Sequence, residues 1–276
     1  MGLTSQLHRR GYQVREVRLV DRRGRSTGGF AADVFGRNLN GGLTTLPRGD
    51  LASMIYRRIA GRVETVFGER ISSIEEHHCG VHVNLQRGRP RRVDLLIGAG
   101  GLHSPVRNLV FGPDTKFEKS LGHCVAALEA DGHRPRAELV YVAHGTPGPM
   151  VARFALRNDR TLFLFVFRHT VTAAPDAGEP CQVKAVPHRA FEGLGWECPH
   201  ILREMDRAEE ISFDPVSQIV MDNWFSGRVA LVGDAACAVS FLAAERAGLA
   251  MVQAYVLAGE PAPSRTRSPA QRPPIR

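Results

Sequence analysis

Hydrophobic and polar positions alternate with several different periods along the chain, and each period predicts a different element. Leu3 and Leu7 stand four residues apart with Gly11 as a stop, which predicts the end of a helix. Val14, Val17, Leu19 and Val20 then predict a strand entry that closes on the turn Asp21-Arg22-Arg23-Gly24. Residues 25–45 are rich in Gly and Asn and read as loop. After Leu46-Pro47-Arg48-Gly49-Asp50, the residues Leu51, Met54, Ile55 and Ile59 fall on one helical face, with Asp50 as expected N-cap and Gly61 as expected stop. From residue 62 the period shortens to two. Val63–Phe67, Ile71–Glu75 and Val81–Leu85 read as short strands. Val93–Ile97, apolar except for Asp94, runs into Gly98-Ala99-Gly100-Gly101 and reads as a buried parallel strand.

Between 121 and 170 the character changes. Leu121–Glu129, Glu138–Val142, Met150–Leu156 and Thr161–Phe167 are strand candidates separated by Gly, Pro, Asn and Asp turns, which predicts an antiparallel sheet of its own. Residues 171–187 read as loop and 188–207 as one or two helices carrying Ile201, Leu202 and Met205. Arg228–Val232 repeats the strand-into-glycine theme at Gly233-Asp234-Ala235-Ala236. Residues 242–258 are apolar nearly all round and predict a buried helix. The last 16 residues contain five prolines and read as disordered. The class is α/β, mixed with an α+β element.

Of 276 residues, 43% are apolar and 23% charged, which excludes a wholly disordered chain and a coiled coil. No run approaches the roughly 20 apolar residues of a bilayer-spanning helix, and the N-terminus lacks the order of a signal peptide, so a cytoplasmic protein away from membranes is expected. The net charge is +8, but four of the excess arginines (265, 267, 272 and 276) lie in the tail. A second basic run, Arg87, Arg89, Arg91 and Arg92, has no interleaved aromatics for base stacking, so no nucleic-acid partner is expected. Five cysteines without a C-x-x-C pair argue for reduced thiols and against a structural zinc, and no metal is expected. His77, His78 and His82 read as solvent-facing hairpin residues. His103-Ser104 lacks the flanking glycine spacing of a hydrolase nucleophile elbow.

Three segments carry the chemistry: Leu46-Pro47-Arg48-Gly49-Asp50-Leu51, Asp94–Arg107 with its Gly98-Ala99-Gly100-Gly101 core, and Gly227–Ala236 with its Gly233-Asp234 pair. Their order and spacing over about residues 1–260 resemble the FAD-dependent monooxygenases of the p-hydroxybenzoate hydroxylase type. The resemblance implies an FAD-binding doubly wound (Rossmann-like) domain, incomplete in this chain, with an inserted antiparallel substrate-binding sheet. It implies FAD as cofactor, NAD(P)H as co-substrate and hydroxylation of a planar, aromatic or polyketide-like small molecule, the flavin supplying the redox chemistry. Carried onto this sequence, it places Asp234 on the ribityl chain, with Gly233 and Ala235 beside it. Arg48 falls near the pyrophosphate and ribityl region. Arg107 ends a motif serving FAD and NAD(P)H. No catalytic acid or base follows from it.

The implied layout is an FAD-binding first half (1–110), a substrate-type sheet with helices (111–215), an FAD-binding second half (216–260) and a tail (261–276). The chain departs from the family pattern at several points. The family's opening strand and G-x-G-x-x-G turn are absent from the sequence. Gly100 stands where the second motif carries aspartate. Phe241, Ala244 and Arg246 replace the Pro, Gly and Gly expected after the third motif. An arginine at 246 is expected to crowd the flavin. Both ends look cut, and the exposed sheet edges that result would favour a protein partner or self-association. The alternative reading is an inactive fragment or degenerate paralogue that binds FAD weakly or not at all and serves, if at all, as a partner subunit.

Overall fold

The structure, a computed structural model, describes residues 2–36, 44–168, 180–239 and 246–259. The chain folds into two compact units. One gathers Met1–Val66 with Gly122–Val216; the other gathers Phe67–Leu121 with the chain from Ser217 onward. The N-terminal 66 residues therefore group with the central sheet, whereas the layout implied by resemblance kept 1–110 together.

Along the chain, the first segment contains α1 (Thr4–Arg10), β1 (Tyr12–Gln13), β2 (Glu16–Val20), β3 (Ser26–Ala31), α2 (Asp33–Gly36), β4 (Thr44–Thr45) and α3 (Arg48–Ile59). The second contains β5 (Ile71–His77), β6 (Gly80–Leu85), β7 (Arg91–Val93), β8 (Leu96–Gly98), α4 (Pro105–Val110) and a 3-10 turn at Asp114–Lys116. The third contains β9 (Glu118–Asp131), β10 (Val140–Gly145), β11 (Met150–Ala155), β12 (Arg160–Arg168), α5 (Pro180–Phe191), α6 (Cys198–Arg207) and β13 (Ser212–Ile219). The last contains β14 (Phe225–Ser226), β15 (Val229–Leu231), a 3-10 turn at Gly233–Ala235 and α7 (Arg246–Gly259).

The expected central sheet forms and is larger than its own segment. Its order is β13-β9-β12-β11-β10-β2-β3, with β9, β12, β11 and β10 antiparallel in sequence and β2 joining β10 in parallel. One face is strongly apolar: Cys124, Ala126, Leu128, Val151, Phe163, Phe165 and Phe167 alternate along their strands and bury against Phe191 of α5 and Ile201, Leu202 and Met205 of α6. The period of two on the strands meets the helical spacing on α6, and that match creates the core. On other strand positions Tyr141 stacks on Phe154 at 4.3 Å, with Tyr12 edge-on to Phe154 at 5.5 Å.

In the other unit, β5, β6 and β7 form an antiparallel sheet, and β14, β15 and β8 form a second, with β8 parallel to β15. Val81, Val83, Val106, Val229, Leu231, Ala235 and Ala236 make its core.

Six expectations are corrected. The 25–45 loop contains β3, whose glycines fit because Gly29 carries φ +143° and a Cβ there would lie 2.2 Å from the Val17 carbonyl oxygen. Residues 63–67 form no strand, and Val63, Val66 and Phe67 are exposed. Val93–Ile97 is not one buried strand: the chain leaves β7 at Val93 and enters β8 at Leu96, an edge strand on which Ile97 is 46% exposed. The helix expected at 242–258 is present as α7 but buries no residue, because the described residues offer it little beyond the Gly233–Ala235 turn to pack on. Pro47, not Asp50, occupies the N-cap position of α3, and Asp50 sits in its first turn. Part of the expected 171–187 loop is also helical, since α5 begins at Pro180. Residues 261–276, Phe241 and Ala244 lie outside the described residues.

Candidate functional site

The second unit brings together two of the three sequence motifs. Parallel pairing sets Leu231 of β15 opposite Gly98 of β8, and Val232 N–H donates to the Gly98 carbonyl at 3.0 Å. Both strands therefore end at the same level and release their glycine loops side by side, the place where open α/β sheets bind ligands. Gly98 is required there: a Cβ would lie 2.7 Å from Leu231 Cδ2 and 2.8 Å from Val106 Cβ.

After β15 the chain turns at Gly233, whose φ of +64° favours glycine. The backbone N–H of Gly233 donates to Gln253 Oε1 at 2.6 Å, so α7 is tied to the turn by the one polar side chain between Leu249 and Tyr255. Asp234 follows with its side chain 16% exposed, and its Oδ2 is ion-paired with Arg246 Nη2. Ala235 is fully buried.

Arg107 is completely buried in α4. Its Nη1 donates to the Ala235 carbonyl at 3.1 Å, and its Nη2 reaches Asp114 Oδ1 at 2.5 Å and the Leu102 carbonyl. Ser104, also fully buried, caps α4 by accepting from Arg107 N–H at 3.2 Å, which accounts for the Ser-Pro at this position. Arg107 thus clamps the loop after β8 to the turn after β15. Arg48 belongs to the other unit, where it is exposed in the first turn of α3. Of the candidate cofactor residues, Arg107, Gly233, Asp234 and Ala235 form one cluster.

Three participants were not foreseen in these roles. Asp114 balances the buried guanidinium, Gln253 satisfies Gly233, and Arg246 neutralises Asp234. Gln253 had a visible signal, a lone amide in an otherwise apolar helical run. Asp114 had none, because charge pairing across a turn follows no fixed spacing.

The cluster suits a polyhydroxylated ligand. Asp234 Oδ1 carries no protein partner among the described residues, and a carboxylate oxygen at a glycine turn accepts hydroxyl hydrogen bonds. FAD meets that description through its ribityl chain, so the residues fit the cofactor, with Arg246 as a competitor for the same carboxylate. Gly100 has little room for the aspartate of the related pattern: a Cβ would lie 3.0 Å from Pro105 Cδ and 3.2 Å from Ser104 Oγ.

The fold and this cluster define a flavin-binding class. The FAD binding domain family matches residues 43–260, most of the chain. The chain belongs to that family, and by family it is an FAD-dependent monooxygenase of the aromatic hydroxylase type. It is 34% identical over 94% of its length to 70% of an uncharacterised protein of Mycobacterium tuberculosis. It is 30% identical, again over 94% of its length, to 66% of a flavin-dependent monooxygenase of Legionella longbeachae. Among solved structures it is similar to the tetracycline destructase Tet(51), with a TM-score of 0.77, 27% identity and coverage of 94% of this chain and 66% of that one. The fold is shared with Klebsiella pneumoniae HpxO complexed with FAD and uric acid, at TM-score 0.73 and 22% identity over 90% of this chain and 63% of that one. The chain spans about two thirds of the length of these proteins. No helix among the described residues is long and apolar enough to cross a membrane.

Proposed function

We propose that this chain supplies the flavin-holding turn and the substrate-side sheet of an NAD(P)H-dependent monooxygenase acting on an aromatic or polyketide-like small molecule. The observation that carries the reading is the Gly233–Asp234 turn at the end of β15, held against the β8 loop by Arg107. When bound, FAD would supply hydride acceptance and oxygen activation. The chain's own residues have other tasks. Asp234 accepts from ribityl hydroxyls through Oδ1, Gly233 lets the backbone come close, and Ala235 keeps the turn in place through its carbonyl. Tetracycline, for which one structural relative is named, is a polyketide and supports that substrate class. The alternative of a fragment unable to bind FAD is not favoured, because the turn is assembled and one carboxylate oxygen stays available.

Flavin fluorescence titration tests the reading. Saturable quenching by the purified chain is expected, with Asp234→Ala weakening it at least about tenfold for a lost charged hydrogen bond. Quenching that ignores Asp234→Ala, or no quenching by the folded chain, overturns it. FAD-dependent oxidation of NADH or NADPH then identifies the reductant.

A further inference from the structure

A cavity of about 650 Å³ lies wholly within the first unit, over the stretch of the central sheet beside α6. Its floor is Val20 and Val142, its inner wall is Arg153, Trp196 and Glu197, and its rim is the β2–β3 turn carrying Arg22 and Arg23. The volume is that of a small-molecule site.

The walls are built to meet. Trp196 N–H donates to the Arg22 carbonyl at 2.6 Å. Gly195 lets the two loops touch, since a Cβ there would lie 2.6 Å from both the Arg22 Cβ and its carbonyl oxygen. Trp196 itself adopts φ +58°, a left-handed conformation costly for so bulky a residue. Arg153, 5% exposed, lies 5.7 Å from the Trp196 ring and binds Glu197 through Nε at 2.8 Å. The indole and the carboxylate are thereby fixed at the cavity.

The arginines divide into two sets. Arg18 is paired with Glu16, Arg136 with Glu138 and Asp159, and Arg153 with Glu197. Arg22 and Arg23 have no side-chain partner among the described residues. They stand on a turn whose backbone is locked by Asp21, which accepts from Arg23 N–H at 2.8 Å and Arg25 N–H at 2.9 Å. Glu197 Oε2 is taken up by His133 at 2.7 Å and Arg153 at 2.8 Å, whereas Oε1 meets only Arg153 Nη2 at 3.2 Å among the described residues and keeps a lone pair to accept with. The cavity therefore offers an aromatic face, one partly engaged hydrogen-bond acceptor and two guanidinium groups without side-chain partners among the described residues. These three chemistries match a heterocyclic base, a sugar diol and a phosphate group.

We propose that this cavity binds a nucleoside phosphate, with its base on Trp196, its sugar hydroxyls on Glu197 and its phosphates on Arg22 and Arg23. The inference stands independently of the flavin reading, because none of these residues belongs to the Asp234 cluster.

The chain has two tryptophans, so the Trp224→Phe variant leaves Trp196 as sole reporter. Titration of that variant with ADP at low salt should quench Trp196 fluorescence with a Kd below about 1 mM. Arg22→Ala combined with Arg23→Ala should weaken ADP at least about tenfold, and adenosine or pyrophosphate alone should each bind at least about tenfold more weakly than ADP. Both arginines are exposed, so the double variant should retain its far-UV circular dichroism. Asp234→Ala should leave the ADP signal unchanged while weakening FAD, which separates the two proposals. Absence of quenching in the folded protein overturns the inference. So does ADP binding that ignores the arginine pair or is lost with Asp234→Ala, or pyrophosphate binding as tight as that of ADP.

Discussion

Arg107 and Asp114 meet at 2.5 Å with the guanidinium wholly buried and the carboxylate side chain 23% exposed. The pair is more than a charge balance, because the same guanidinium also donates to the carbonyls of Leu102 and Ala235. Removing Arg107 leaves buried carbonyls without donors, and removing Asp114 leaves a buried cation. Each of Arg107→Ala and Asp114→Ala should therefore cost about 3–5 kcal/mol, as for other broken buried pairs. Urea unfolding measures this. Losses below about 1 kcal/mol, the level of an exposed pair, would show that the clamp does not hold the two loops.

Arg246 on Asp234 sets up a competition that can be read directly. A ligand hydroxyl can take Oδ1 while the ion pair holds Oδ2, but the guanidinium draws charge from the acceptor and fills space beside it. Arg246→Gly should tighten FAD several-fold, by roughly the 1 kcal/mol scale of a partly exposed ion pair. Gly100→Asp should give no further gain, since the space around Gly100 is already filled by Pro105 and Ser104. Flavin fluorescence titration of the single and double variants checks both statements. Unchanged affinity in Arg246→Gly would remove the competitor from the account.

Legibility followed the strength of each local signal. The central strands and α6 were readable because a period of two and an amphipathic helical spacing each coincide with burial in the finished core. That β8 and β15 are parallel strands running into glycine was readable from their apolar runs, but their pairing with each other and the exposed edge position of β8 were not. β3 was not, because Ser26-Thr27-Gly28-Gly29 has no hydrophobic alternation and is held by close backbone approach to β2. The exposure of α7 was hidden for the opposite reason: apolar composition states what a helix prefers to bury, not whether the described residues supply a neighbour. At the candidate site the motif glycines and Asp234 were legible. The inward turn of Arg107 was not, because an arginine beside a glycine loop can face a ligand or the protein's own carbonyls with the same sequence.

Gly29 offers a test of the β2–β3 pairing. An alanine Cβ would be driven to 2.2 Å from the Val17 carbonyl oxygen at a backbone angle that L-residues rarely adopt. Gly29→Ala should destabilise the protein by about 1–3 kcal/mol through overpacking and strain. Gly28→Ala, with nothing within 4 Å of its Cβ, should be nearly neutral. Thermal unfolding of the two variants distinguishes a paired strand from a loop, in which both would be tolerated.

Thiol reactivity should follow burial. Cys124 and Cys198 are buried, and burial raises each thiol to about 11, so both stay protonated at neutral pH. Cys79 is exposed on the β5–β6 hairpin turn. Iodoacetamide at pH 8 should label Cys79 within minutes and spare Cys124 and Cys198 until denaturant is added, as peptide mass spectrometry would show. Early labelling of Cys198 would contradict the packing of α6 on the sheet.

Asp21 ties pH to the rim of the nucleotide cavity. The backbone N–H of Arg25 is the main cause of its lowered pKa, opposed by desolvation and aided by the Arg25 side chain and the Arg23 N–H. A folded-state pKa below the unfolded one means that the ionised carboxylate stabilises the turn. That contribution is complete above the ordinary carboxylate range and disappears as pH falls through the lowered value. The turn positioning Arg22 and Arg23 should therefore hold from neutral pH down to the ordinary aspartate range and loosen only below it. Asp21→Asn should remove this acid transition while leaving the turn weaker at pH 7, because the amide accepts less strongly from Arg23 and Arg25. An NMR titration following the Arg23 and Arg25 amide protons reads both effects. Identical titration curves in the two proteins would mean that the turn is shaped by Gly24 and the strand pairing alone.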